Sequence, residues 1–387
     1  MFTIVARTAL RLAFFYSAIF ASVGVFLPYW PVWLESRGLS AAEIGLIIGA
    51  SFWPRIVTGL VIPLAADRLG RRRLTMVWLA AMTFAGLVLF GLVENFWLFL
   101  LLSLLTGGTW AAILPLGEAI ALNQAGHHGL NYGRVRLWGS IAFILMSLAG
   151  GYAVKIQGAS VVFPLILTLV ALTLLSCWTM PELERTGHRS RQPRLGLLFR
   201  QKNFLQLVFA SALIQACHAV FYGFGTLHWR AAGLGEATIG WLWAEGVIAE
   251  VLLFMWSGKF IGRVRNERLI VLAGGLAVLR WLLNGLSSDL ALAILTQGLH
   301  AASFALTYLA TIHYLRDVTP PELQASAQGF YAAIGLAPLF GLITPLAGWL
   351  YGMDSNAAFF AMAGLAGAGV CLALALPAPS ARRAPHV

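Results

Sequence analysis

Seven ionisable side chains stand inside long apolar stretches of this 387-residue sequence: Arg55, Glu118, His218, Glu245, Glu250, Arg280 and His300. A charge at the centre of a bilayer costs roughly 2.5–3.5 kcal/mol on insertion scales, so such groups pair with one another or face water, and they mark paths for protons or substrates. Glu250, Arg280 and His300 fall on three successive stretches and supply an acid, a base and an imidazole. A desolvated carboxylate keeps its proton, and an Arg brought beside it makes it let go, so these residue types suit proton loading and release. The alternative is an ion pair of Glu250 and Arg280 that only joins two helices. Glu245 precedes Glu250 by five residues, about 500° of helical rotation, so the two carboxylates point about 140° apart and do not both face one cavity squarely.

Other polar residues extend this set. Gln297, His300, Ser303 and Thr307 recur at helical spacing and give one polar stripe, while Gln215, His218 and Tyr222 fall at i, i+3 and i+7 on another stretch. Each stripe suits either a cavity or hydrogen bonds between helices. Glu118 and Arg136 are 18 residues apart across a short turn. The planar fork of an Arg can grip a carboxylate with two hydrogen bonds, which makes the pair a candidate for substrate binding, with a cytoplasmic gate or anchor as the alternative. Arg134 fits the anchor better, and Trp138 and Ser140 can line the same cavity as Arg136. Arg55 lies beside Pro54, too deep to snorkel easily, and needs an acid or a cavity. Asp67 with Arg71 and Arg72 reads as a conformational latch, a loop acid bracing a helix end in one state and releasing it in another.

What must position these residues is a membrane bundle. The chain is 59% hydrophobic and 11% charged, with mean hydropathy +0.81, against roughly 25% charged residues in soluble domains. Breaks at charges, Gly and Pro give apolar spans near 9–31, 41–66, 74–93, 97–121, 135–156 and 161–180, then 203–228, 238–260, 269–286, 290–315, 325–350 and 357–377. The N-terminal stretch runs into Leu27-Pro28-Tyr29-Trp30 without a small-residue cleavage pattern, so it reads as a retained first span. Residues 1–180 and 203–377 each hold six spans; 181–202 reads as a cytoplasmic linker and 378–387 as a cytoplasmic tail.

With both termini cytoplasmic, that side takes 21 Lys and Arg and the other only Arg37, Lys155 and Arg230. Positive residues are retained on the cytoplasmic side, so this split sets the orientation and accounts for a net charge of +11 without a nucleic-acid partner. Cys177, Cys217 and Cys371 show no metal or disulfide spacing and read as small buried hydrophobes. No phosphate-binding Gly-x-x-x-x-Gly-Lys-Ser/Thr loop, His-Glu-x-x-His or Gly-x-Ser-x-Gly occurs, which argues against an enzyme and for a gradient in place of hydrolysis.

The halves repeat one another. Asp67 to Arg73 aligns with Lys259 to Arg265 at an offset of 192, and Gly38-Leu39 with Ile44-Gly45 recurs at an offset of 195 as Gly233-Leu234 with Ile239-Gly240. The segment from Asp67 to Arg72 resembles the loop between spans 2 and 3 of the major facilitator superfamily, with Pro63 where that pattern begins with Gly. Three further segments are similar to the 3-phenylpropionate permease group, near the lactose and nucleoside proton symporters: Leu27-Pro28-Tyr29-Trp30 with Val32-Trp33-Leu34, Tyr132 to Ser140, and His218-Ala219 with Tyr222-Gly223-Phe224.

The resemblance implies an all-α membrane protein with the major facilitator fold, 12 transmembrane helices in two six-helix bundles related by pseudo-two-fold symmetry. It implies a monomer in a bacterial inner membrane that takes up a small organic compound, such as an aromatic carboxylate, with protons and without a cofactor. Lactose-permease-like symporters carry an acid, an Arg and a His on spans 8, 9 and 10, as do Glu250, Arg280 and His300 here, with Ser303 where they have a second acid. Related sugar symporters bind substrate with an acid on span 4 and an Arg on span 5, the positions of Glu118 and Arg136. Substrate contacts are therefore expected from Glu118, Arg136, Trp138, His218 and Tyr222. A sugar or nucleoside symporter and a non-transporting sensor on the same fold remain open alternatives.

Overall fold

The computed structural model describes residues 2–182, Leu198, 203–320 and 323–377. Twelve helices in it are long and apolar enough to cross a membrane. The first half holds α1 (Val5–Ser36), α2 (Ala41–Leu69), α3 (Arg72–Leu92), α4 (Phe96–His128), α5 (Tyr132–Gln157) and α6 (Ala159–Thr179). The second holds α7 (Phe204–Ala231), α8 (Glu236–Lys259), α9 (Asn266–Leu286), α10 (Leu290–Val318), α11 (Ser326–Met353) and α12 (Ser355–Leu374). The expected linker lies outside the described residues except for Pro181, Glu182 and Leu198, and the expected tail lies wholly outside them.

Helix starts follow local chemistry. Ser40 and Glu43 form a reciprocal capping box at α2, and Asn95, Asn131, Asp289 and Asp354 accept backbone N–H groups at the starts of α4, α5, α10 and α12. At Asp289 the Ser287 hydroxyl and the Leu292 N–H hold the carboxyl below its usual range. The largest difference at a helix end falls on the fourth span. Hydropathy ends the fourth span near residue 121, yet α4 runs on through Asn123 and Gln124 to His128 and stops at Gly129, whose φ of +64° is left-handed. Glu118 is therefore ten residues, about 15 Å, inside the end of the helix rather than near it.

The repeat has a backbone cause. Gly70 and Gly262 have φ of +64° and +84°, and Gly38 and Gly233 have φ of +81° and +83°, so both matched pairs mark turns that need a residue without Cβ. The helix pairings repeat as well. In the first half α1 packs on α5 and α6, and α3 on α4 and α6; in the second α7 packs on α11 and α12, and α9 on α10 and α12.

Between the halves, α2 meets α11, α5 meets α8 and α1 meets α7. These contacts gather at the end of the bundle away from the termini. A Cβ on Gly151 would stand 2.5 Å from the Glu236 carbonyl oxygen, and one on Gly348 2.5 Å from that of Ala41. Lipid tails are as apolar as side chains, so close backbone approach between small residues supplies the attraction here. Arg230 ties the same end, with NH1 2.9 Å from Glu35 of the other half and Nε 2.6 Å from Glu236. Among the described residues, no pairing of similar extent joins the halves at the ends of α4 and α10 near the termini. The halves meet more sparsely toward that end.

Gly151→Val should force α5 and α8 apart. Spin labels at Gln157→Cys and Ala237→Cys are expected to report a longer and broader distance distribution in the variant; an unchanged distribution would mean that this seam does not hold the closed end.

Candidate functional site

The sites sit where the helices are irregular. Membrane-embedded backbone departs from the α-helix only where protein or a cavity satisfies it, and such places recur at functional sites. Here α7 is interrupted at Cys217–His218, α2 at residues 51–54, and α10 passes through a π-helical turn at Ala301–Ala305, directly after His300.

Arg280 on α9 is the hub of the second half, with no exposure at all. Its NH1 donates to His300 Nδ1 at 2.8 Å and to Ser303 Oγ at 3.4 Å, and its NH2 donates to Gln297 Oε1 at 2.7 Å. The guanidinium carbon lies 4.8 Å from the Phe221 ring centre and 4.5 Å from that of Trp281, which adds a cation–π contribution. Gln297 is itself held by a 2.8 Å bond from Nε2 to the Leu242 carbonyl on α8.

The expected ion pair of Glu250 with Arg280 is not formed directly; His300 stands between them. His300 Nε2 is 2.9 Å from Glu250 Oε1. A guanidinium can only donate, so Nδ1 of His300 accepts from Arg280, and Nε2 carries the hydrogen that it donates to Glu250. The result is a relay of guanidinium, neutral imidazole and carboxylate across α9, α10 and α8. His218 uses the opposite tautomer: Nδ1 donates to the Gln215 carbonyl at 3.1 Å, leaving Nε2 to accept from the Ser303 hydroxyl at 3.2 Å. The Tyr222 ring lies 6.2 Å from both imidazoles, so the α7 stripe meets the α10 stripe. Glu245 has no ion pair among the described residues; its Oε1 faces Gly298 on α10.

In the first half Arg136 Nε is 3.8 Å from Glu118 Oε1, and its guanidinium lies over Phe20 at 4.0 Å and Tyr16 at 5.3 Å. Glu118 and Arg136 in the first half, and Glu250 and Tyr308 in the second, are all partly exposed. Trp138 does not join them. Two residues past Arg136 it is turned by about 200°, and it faces outward with Leu137, Ile141 and Leu145. Cys371 likewise faces outward, whereas Cys177 and Cys217 are buried and Cys217 Sγ accepts from Trp281 Nε1 at 2.9 Å.

Of the expected latch, Asp67 binds Arg72 through Nε; Arg71 contributes backbone, its carbonyl accepting from the Thr75 N–H at 3.0 Å. Arg73 adds a 3.2 Å pair with Glu182 at the end of the sixth helix. Three residues go beyond the expected set. Arg55 lines a cavity without an acid partner among the described residues, and Phe52 stacks at 5.1 Å on Phe340 of the opposite half. Tyr308 is the third. Only the Pro54-Arg55 pair carried a signal in the sequence.

Twelve membrane-length helices in two repeated sets, closed at one end around shared buried charges, define a secondary transporter of the major facilitator type. The MFS_1-like family profile matches residues 9–362, and the chain belongs to that family. It is 31% identical over 358 residues to the "Probable 3-phenylpropionic acid transporter" of Escherichia coli (strain K12), covering 91% of this chain and 93% of that protein. It is also 31% identical over 331 residues to the maltose permease of Geobacillus stearothermophilus, covering 83% and 82%. Among solved structures, the nucleoside transporter NupG aligns with a TM-score of 0.82 at 16% identity, over 95% of this chain and 98% of that one.

Glu250→Gln keeps an oxygen that can accept from His300 Nε2–H and should cost under about 1 kcal/mol of stability, while Arg280→Met strands the acceptors of His300 and Gln297 at about 1–3 kcal/mol each. Thermal unfolding in detergent is expected to show a clear drop in midpoint only for Arg280→Met. A comparable drop for Glu250→Gln would make the carboxylate a structural element.

Proposed function

We propose that the protein is a proton-coupled importer of a small organic compound, an aromatic carboxylate such as 3-phenylpropionate being the first candidate, and that it works by alternating access. The observation that carries this reading is the buried relay from Arg280 through neutral His300 to Glu250, set opposite Arg136 and Glu118. A proton arriving on Glu250 removes the charge that His300 Nε2–H and, across the gap, Arg136 both face, so loading changes what holds the halves together at the sparsely joined end. Proton binding and the rocking of the halves then act on the same groups.

The Lys and Arg distribution supports an inner-membrane orientation with both termini cytoplasmic, which makes the seam at Gly151 and Arg230 periplasmic and the sparsely joined end cytoplasmic. Asp67 with Arg72, and Arg73 with Glu182, act in this scheme as ties at the cytoplasmic ends of the first bundle, remade as the halves rock. The protein needs no cofactor beyond the proton gradient and works as a monomer.

A sugar or nucleoside as substrate is favoured by one observation: Arg136 is already paired with Glu118, and a paired Arg and Glu suit hydroxyl groups better than a second carboxylate. The similarity to the maltose permease agrees with it.

Right-side-out vesicles should accumulate the substrate, tested with 3-phenylpropionate, maltose and a nucleoside, when the outside is made more acidic, and a protonophore should abolish this. Glu250→Gln is expected to retain exchange of labelled for unlabelled substrate while accumulation falls at least tenfold. Uptake that ignores the imposed gradient for every compound would overturn proton coupling.

A further inference from the structure

Among the described residues, Arg55 is the one intramembrane guanidinium with no hydrogen bond or ion pair to a side chain. Arg280 is enclosed by His300, Gln297 and Ser303, and Arg136 has Glu118. Arg55 spends Nε on the Ser51 carbonyl at 3.2 Å and rests its guanidinium 4.1 Å from the Phe52 ring centre. Among the described residues no carboxylate pairs with it, and NH1 and NH2 have no acceptor. An unneutralised charge at this depth is costly, and the usual resolution is an anion or a cavity.

The surroundings supply the cavity. Arg55 opens the second segment of α2, just past the turn at residues 51–54. It lines a pocket of about 80 Å³ inside the first bundle, walled by Phe26, Trp30, Phe90 and Trp110, with the hydroxyls of Ser51 and Thr106. Among the described residues lining it, Arg55 is the sole charged one. A rigid apolar cavity of roughly 150 Å³ is what takes a benzene ring. A pocket about half that size admits a carboxylate and a few waters but not the ring attached to it.

We propose that Arg55 and this pocket form the receptor for the carboxylate of an anionic substrate, with NH1 and NH2 as the fork that grips its two oxygens. The proposal rests on the transport reading above and extends it to the charge of the substrate; it assigns to Arg55 the anchoring that the sequence suggested for Arg136. The geometry places the site one aromatic stack from the relay: Phe52 beneath the guanidinium stacks on Phe340 at 5.1 Å, Phe340 on Tyr222 at 6.3 Å, and Tyr222 meets His300 at 6.2 Å. The rest of the substrate lies along those rings, outside the pocket. Lys in place of Arg55 would keep the charge and lose the fork.

The test is calorimetric binding to the full-length chain in detergent, with 3-phenylpropionate, its neutral amide and maltose as probes, for the wild type, Arg55→Gln, Arg55→Lys and Arg136→Gln. The wild type should bind the acid at least tenfold more tightly than the amide. Arg55→Gln should abolish that preference by weakening the acid at least tenfold while leaving the amide unchanged; Arg55→Lys should fall between, and Arg136→Gln should keep the preference. Three results would each overturn the proposal: acid binding unaffected in Arg55→Gln, equal loss of acid and amide, or a wild type that binds maltose and not the acid. No gradient enters this measurement. Acid binding that depends on Arg55, together with uptake indifferent to pH, would therefore keep the site and reject the coupling.

Discussion

A guanidinium with no exposure, held among helices that face lipid, sets the terms for the second half of the molecule. Removing such an ion from water carries an effective penalty of several kcal/mol, recovered only when nearly every donor meets an acceptor in good geometry. Arg280 meets most of that demand, with Nε alone left without an acceptor among the described residues, by recruiting from one helix the side chains of Gln297, His300 and Ser303, which is why α10 carries a polar stripe at all. Each recruit passes the constraint outward: Gln297 to the Leu242 carbonyl on α8, His300 to Glu250, and Ser303 to His218 on α7. Four helices are thereby fixed in rotation about one side chain, and the tautomers of two imidazoles follow without further choice. Buried hydrogen-bond networks of this kind rigidify the helices that carry them and restrict the core to one arrangement.

The association of the halves has another origin. Where α5 crosses α8 and α2 crosses α11, the contact is backbone against backbone, made possible by glycines that leave no side chain between the helices. Such seams gain little per residue and lose little on parting. The strong, directional interactions sit inside each half or between single charged groups, such as Arg230 with Glu35 at the closed end. A molecule built this way can move as two rigid bodies, since what must stay together is bonded and what must separate is merely packed.

Hydropathy and charge made the architecture legible: the twelve helices, and a repeat whose matched glycines turn out to share a left-handed backbone. The site was legible by residue type more than by arrangement. Spacing along a helix tells which residues share a face, but not which face meets a neighbour. Trp138 was therefore grouped with Arg136 although it is turned away from it, and His300 could not be seen to stand between Glu250 and Arg280. Hydropathy sets Glu118 too close to the helix end, because the polar residues after it lower the local value while the helix continues. Arg55 was visible as an anomaly, yet its emptiness depends on what packs around α2. That information lies in the walls, Phe26 and Trp30 from α1, Phe90 from α3 and Trp110 from α4, rather than in the local sequence.

The π-helical turn at Ala301–Ala305 carries more residues per revolution than the helix on either side of it. In an α-helix each residue advances the side chain by about 100°, so one residue of surplus shifts every later position in α10 around its axis by that amount. The helix behaves as a screw whose thread slips once along its length. Above the slip, Gln297 and His300 engage α8 and α9; below it, Thr311 is brought round to share a 2.7 Å hydrogen bond with Ser211 on α7. A single span thus holds two bearings at once, one for each partner it must serve.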